Sequence, residues 1–294
     1  MALLEAHTTY GRVKGCPTTY QTSTIFKGLP YAKPPVGNLR WKAPEKPEPW
    51  EGEFEAYTYG PIPMQARPTE DSFYRKEFYP IEWPSSEDCL YVNVITPAES
   101  PDEKLPVALW IYGGGFMQGY SQKLETDGEA FAQRGVVYVS FNYRVGPFGY
   151  LSCSALDSET TEGLSGNYGL LDQVAAIDWV RENIAAFGGD PNRITIFGQS
   201  AGAISVYDLL CCPMVKGKVA GAIMESGGGP LPAEMANTKA ARETSEKFFE
   251  YLNCRTAEEA RMIPGNILQE KWQKFLSENP VQGIALCPVP QTSS

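Results

Sequence analysis

Histidine is almost missing from this chain: His7 is the single one among 294 residues. Imidazole is the usual ligand of catalytic metals and the usual general base near neutral pH, so the shortage argues against a metal hydrolase and constrains every acid–base mechanism. Cysteine occurs seven times (Cys16, Cys89, Cys153, Cys211, Cys212, Cys254 and Cys287), without a C-x-x-C pair or metal-ligand spacing. Buried, reduced thiols in a reducing compartment are the expectation. Positive charge is also short, with 25 Lys and Arg against 35 Asp and Glu and a formal charge of −10. Such a surface repels phosphate backbones and anionic lipid, so neither a nucleic acid nor a membrane is an expected partner. No stretch approaches the roughly 18 apolar residues of a membrane span. The run from Met1 to His7 is too short for a secretory h-region. A soluble, cytoplasmic chain is expected. P-loop and dinucleotide-binding glycine fingerprints are absent as well, and no cofactor is called for.

What is present is an ordinary globular mixture, 43% hydrophobic and 20% charged, outside the range in which chains stay disordered. Without repeats, low-complexity tracts or long charge blocks, the chain reads as a single domain over residues 1–294. Residues 1–85 are rich in Pro and Gly and predict short strands and ordered loops. Residues 86–229 form an α/β core: Tyr91 to Ile95, Val107 to Tyr112, Val136 to Phe141, Ile194 to Phe197 and Val219 to Met224 are nearly continuous apolar runs, suited to a sheet covered on both faces. A helix from about Leu170 to Phe187 carries an apolar stripe of Ile177, Val180, Ile184 and Phe187, and Gly188 and Gly189 end it. Residues 230–294 predict surface helices, over Ala240 to Leu252, Thr256 to Met262 and Asn266 to Phe275. Strand, tight turn and helix in alternation imply parallel strands with right-handed crossovers.

Gly198-Gln199-Ser200-Ala201-Gly202 matches G-x-S-x-G, a pattern that chance supplies in roughly one chain in ten of this size. Its setting between an apolar strand and a helix is more telling. There the turn forces the serine into a strained conformation that glycine neighbours tolerate, and holds its Oγ at the mouth of the sheet beside a helix N-terminus. Upstream, Tyr112-Gly113-Gly114-Gly115-Phe116 follows the strand Val107 to Ile111. Alone it reads equally as a glycine turn. Paired with the elbow it becomes a source of backbone N–H groups that, with that of Ala201, suit an oxyanion hole.

These residues resemble the N-terminal part of the type-B carboxylesterase and cholinesterase family. The resemblance extends over Phe26 to Ala32, Leu39 to Trp41, Glu87 to Val94, Trp110 to Phe116, Asn142 to Gly149, Gly166 to Gln173 and Phe187 to Ala203, so nearly everything up to Gly229 is in register. It implies an α/β-hydrolase fold with a mostly parallel central sheet and helices on both faces, and hydrolysis of a small-molecule carboxylic ester. By the same resemblance Ser200 is the acyl-enzyme nucleophile, the N–H groups of Gly114, Gly115 and Ala201 form the oxyanion hole, and Ser226 lies near the acidic triad member. Glu225 stands where the family often has Gln. Arg40 with Glu87, and Arg144 with Asp172, resemble structural ion pairs of the scaffold. Cys89 has no cysteine between it and Trp50 to pair with, and is expected to be a free thiol.

A serine hydroxyl needs a base, and in this fold the order is serine, acid, histidine. No histidine follows Ser200. His7 reads as a surface residue on outlying β structure. In the family, acid and histidine lie beyond the point that Ser294 reaches, and Cys287 to Ser294 resembles the approach to the acid. Three readings remain: an esterase chain truncated before its acid and histidine, one half of a split esterase with a complementary C-terminal chain, and a non-catalytic protein-binding member of the fold. The first accounts for the intact elbow most simply.

Overall fold

The structure is a computed structural model that describes residues 2–160, 163–227, 238–280 and 285–288. Its strands in chain order are β1 (Glu5–Thr8), β2 (Gly11–Lys14), β3 (Cys16–Pro17), β4 (Thr24–Pro30), β5 (Glu53–Glu55), β6 (Ile62–Pro63), β7 (Ser85–Ser86), β8 (Tyr91–Thr96), β9 (Leu105–Ile111), β10 (Val137–Phe141), β11 (Gly189–Gln199) and β12 (Gly221–Glu225). The helices are α1 (Phe73–Phe78), α2 (Glu129–Ala132), α3 (Gly146–Tyr150), α4 (Ser154–Asp157), α5 (Tyr168–Asn183), α6 (Ala201–Cys211), α7 (Thr238–Leu252), α8 (Ala257–Arg261) and α9 (Gly265–Glu278).

Seven strands make the central sheet in the order β12-β11-β9-β10-β8-β4-β3. Its parallel part is β12, β11, β9 and β10, while β8, β4 and β3 continue it in antiparallel pairs. Every residue of β10 and the last five of β9 are buried, as expected for parallel strands covered on both faces. At the other extreme is β12, where Ile223 and Met224 are 52% and 41% exposed. Among the described residues no strand pairs with its outer edge. His7 sits exposed on β1, in a separate sheet of order β1-β2-β5, opposite Arg12.

The predicted long helix is α5, and it is less one-sided than its apolar stripe suggests. Asp172, Gln173 and Asn183 are buried along with Val174, Ile177 and Val180, so α5 is embedded over much of its girth. Its last turn tightens to a 3₁₀ helix over Ile184–Phe187, and Gly188 at φ +78° ends it in the left-handed region that glycine adopts freely. Asp190-Pro191, a turn signal after the helix in the sequence, does not stand outside the strand. It lies inside β11 as an irregularity between Gly189 and Ile194.

The expectation of surface helices after residue 238 needs correction. Phe248, Phe249, Leu268, Trp272 and Phe275 are buried and, with Phe116, Phe148 and Tyr150, form a second core beside the one under the sheet. Phe248 meets the Trp272 ring edge-on at 4.8 Å. Each such ring contributes about 1.5–3 kcal/mol of burial, enough to fix helices whose other faces are charged. Arg40 ties these helices to the N-terminal region: it forks onto Glu87 (Nε to Oε2, 2.5 Å; Nη2 to Oε1, 2.6 Å) and donates from Nη1 to the carbonyls of Ala260 and Ile263. Arg144 makes the other expected pair, with Asp172 at 2.7 and 2.8 Å, both side chains essentially without solvent contact. All seven cysteines are unpaired, but only Cys89, Cys153 and Cys287 are buried and Cys211 is exposed, so the uniform picture of buried thiols fails. No helix among the described residues is long and apolar enough to cross a membrane.

Candidate active site

Ser200 occupies the turn between β11 and α6, where it is the N-cap residue with φ +56° and ψ −124°. That left-handed φ costs a non-glycine residue on the order of 1–3 kcal/mol and persists only when the surroundings over-determine it. They do. A Cβ on Gly202 would lie 2.1 Å from the Ile111 carbonyl oxygen, and one on Gly198 would lie 2.6 Å from the same oxygen. The two motif glycines are therefore demanded by the close passage of β9, which pairs Gly198 with Ile111. Hydrogen bonds complete the turn: Ser200 N–H donates to Glu225 O at 2.9 Å, and Ile204 N–H donates to Ser200 O at 3.0 Å. Ala201, buried at the first position of α6, presents an N–H that the helix itself cannot satisfy, at the positive end of the helix dipole.

The glycine loop lies directly against this turn. A Cβ on Gly113 would be 2.4 Å from Gln199 O and 3.1 Å from the Ser200 Cβ, so any side chain there would displace the serine. Gly114 and Gly115 have φ +134° and +62°, and the space beside Gly115 is open. The loop closes on itself through Met117 and Gln118, whose N–H groups donate to Gly114 O at 3.1 and 3.2 Å. The N–H groups of Gly114 and Gly115 have no partner among the described residues. Phe116 shares the left-handed conformation at φ +61° and is anchored by complete burial, edge-on to Tyr150 at 5.2 Å. Below the loop, Tyr112 and Tyr143 stack at 4.2 Å and each donates its phenol to the other's carbonyl. Burial pushes both phenols well above their ordinary range, so they remain neutral donors.

The far end of the loop is held by Gln65, which the sequence does not mark. Its side chain accepts from Gly119 N–H at 2.8 Å and donates to Gly119 O at 2.9 Å and Pro63 O at 3.0 Å. Asn142 holds the next turn, accepting from Ser121 N–H at 2.8 Å. Gln65 acts across a long stretch of chain with a common side-chain type, so no local pattern announces it, whereas Asn142 opens the stretch Asn142 to Gly149 without its contact to Ser121 being legible there. Asp208 lies two turns along α6 from Ser200, and desolvation pushes its carboxyl up to about 6.

Ser200, Gly113, Gly114, Gly115 and Ala201 thus meet at one end of the parallel sheet. Ser226 is exposed just after Glu225, with φ +50°, and adjoins the turn through Gly227, whose added Cβ would lie 2.7 Å from Ser200 O. His7 has its strand partners in the outlying sheet and is not brought to the turn. No group of three His, Cys, Asp or Glu side chains among the described residues is placed to hold a metal ion. The sequence profile of the Carboxylesterase family matches residues 3–290. The chain belongs to that family. Among its relatives, the para-nitrobenzyl esterase of Bacillus subtilis is 47% identical over 247 residues, which are 83% of this chain and 47% of that protein. The fumonisin B1 esterase of Sphingopyxis macrogoltabida is 43% identical over 229 residues, 78% of this chain and 41% of that one. Among solved structures, a thermophilic PNB esterase superposes with TM-score 0.82 at 40% identity, covering 95% of this chain and 55% of the other. The chain thus spans about half the length of the carboxylesterases it matches.

Proposed function

We propose that this carboxylesterase-family chain carries the nucleophile and the oxyanion-stabilising part of a carboxylic ester hydrolase acting through an acyl-enzyme on Ser200. The observation that carries the reading is the left-handed Ser200 at the mouth of the sheet, pressed against Gly113, beside the N–H groups of Gly114, Gly115 and Ala201, which have no partner among the described residues. In acylation the Ser200 Oγ bonds to the ester carbonyl carbon as its proton passes to a base. The carbonyl oxygen becomes an oxyanion that accepts hydrogen bonds from those N–H groups. The bond to the alcohol oxygen then breaks as that oxygen takes the proton, and water repeats the sequence to release the acid. The single histidine, His7, is exposed on β1, so base and orienting carboxylate are assigned to residues outside these 294, on a continuation of the chain or on a complementary C-terminal chain. Ser226 is assigned a place beside that carboxylate.

The test is to co-express the chain with the C-terminal half of the Bacillus subtilis para-nitrobenzyl esterase and probe with a fluorophosphonate, which needs an activated hydroxyl. Labelling is expected at Ser200 and is lost in Ser200→Ala. Undiminished labelling of Ser200→Ala overturns the assignment. Alone, the chain is expected to hydrolyse p-nitrophenyl acetate only at the roughly 10³ to 10⁴-fold over water that an oxyanion hole and binding leave without a triad.

A further inference from the structure

Gln65 spends its whole carboxamide on main-chain groups at the end of the glycine loop. It is 7% exposed, on the segment just after β6. Its Oε1 takes the Gly119 N–H, while its Nε2 serves Gly119 O and Pro63 O. One side chain thereby satisfies both polar groups of a single residue, as a neighbouring strand would, and the two acceptors facing Nε2 fix which way the amide lies. Gly119 is buried with φ +120°, and a Cβ there would meet Gly113 O at 2.4 Å. Gly113 in turn bears on Ser200. The close approaches are continuous, from Gln65 to Gly119, from Gly119 to the Gly113 carbonyl, and from Gly113 to the Gln199 carbonyl and the Ser200 Cβ.

We infer that Gln65 is a positioning residue of the oxyanion-stabilising loop, fixing where the Gly114 and Gly115 N–H groups stand relative to Ser200. The inference rests on the ester-hydrolase reading, because the loop's placement matters to rate only if charge develops there. An oxyanion donor acts by preorganisation, and a shift of about 1 Å at such a site is enough for a loss on the order of 10²-fold. Simple scaffolding would instead remove activity in proportion to the folded fraction.

The residual hydrolysis of p-nitrophenyl acetate by the 294-residue chain suits the test, since without a base that rate is what the oxyanion donors and binding supply. Gln65→Met keeps the length and removes all three hydrogen bonds. Gln65→Glu keeps an acceptor for the Gly119 N–H and turns a carboxylate on the two carbonyls. Rates are read on samples whose folded fraction is set by near-ultraviolet circular dichroism, with the urea-unfolded chain as blank. Gln65→Met is expected to lower kcat by about 10²-fold with KM within about two-fold, and Gln65→Glu to fall between it and the unsubstituted chain. If Gln65→Met does not fold, the same split in Gln65→Glu decides. Unchanged kcat, a change confined to KM, or a loss matching the folded fraction overturns the role of Gln65 alone. A folded, unsubstituted chain no faster than its unfolded blank overturns the oxyanion reading, and the role of Gln65 with it.

Discussion

Ser200 donates its backbone N–H to the carbonyl oxygen of Glu225, so the turn that carries the nucleophile is tied to the last residue of the half-exposed strand β12. The conformation of the serine is thus set from two sides. On one, β9 leaves no room for side chains at Gly198 and Gly202, and on the other, β12 takes the Ser200 N–H.

Substitution at the glycines of the site should separate crowding from conformation. Gly115→Ala enters open space at φ +62° and should cost about 1–2 kcal/mol in urea denaturation. Gly202→Ala must displace the Ile111 carbonyl and should cost more than about 3 kcal/mol. Equal costs would show that β9 yields easily and that sterics do not enforce the turn.

Asp208 should make the chain less stable as pH rises. Its folded value of about 6 lies above the ordinary carboxyl range because of desolvation, so the folded state holds the proton more tightly than the unfolded state. The penalty is absent below about pH 4, grows between about 4 and 6, and is fully present above that, at on the order of 1–3 kcal/mol. Asp208→Asn should therefore raise the melting temperature at pH 8 and leave it nearly unchanged at pH 4. A gain of the same size at both pH values would rule out titration of Asp208 as the cause.

Removing one partner of the Arg144–Asp172 pair should be severe, because both side chains are buried and the survivor keeps its charge. Asp172→Asn is expected to cost about 3–5 kcal/mol. Guanidinium denaturation would show it, and a loss under about 1 kcal/mol would mean that solvent reaches Arg144.

The thiols should divide by burial. At pH 8 Cys211 should react first with an aromatic disulfide reagent, whereas Cys89, Cys153 and Cys287 should wait for unfolding. Burial pushes Cys153 up to about 12 and Cys287 up to about 11, which suppresses their thiolates as well as their access. Peptide mapping after partial modification checks the order.

The parts of this molecule legible in the sequence are those where geometry excludes side chains. Gly198, Gly202 and Gly113 to Gly115 are written into the sequence because backbone passes within contact distance or φ turns positive, and both constraints act at fixed spacing. The strands β9 and β10 are legible because burial on both faces leaves apolar residues at every position but Ser140. Gln65 is silent, since a carboxamide that serves a distant loop looks like any surface amide. The helices α7 and α9 misled for a related reason: Phe248, Phe249, Leu268, Trp272 and Phe275 are few among Glu and Lys, yet they anchor the face that those helices bury.

The grip of Arg40 on the carbonyl oxygens of Ala260 and Ile263 spans 220 and 223 residues of chain. At synthesis rates of about 5–20 residues per second, Arg40 leaves the ribosome roughly 10–40 s before its acceptors do. Through that interval its guanidinium, destined to be buried, has only Glu87 and water to satisfy it. The N-terminal region therefore cannot reach its final packing until the segment that carries Ala260 and Ile263 has emerged and docked against Arg40.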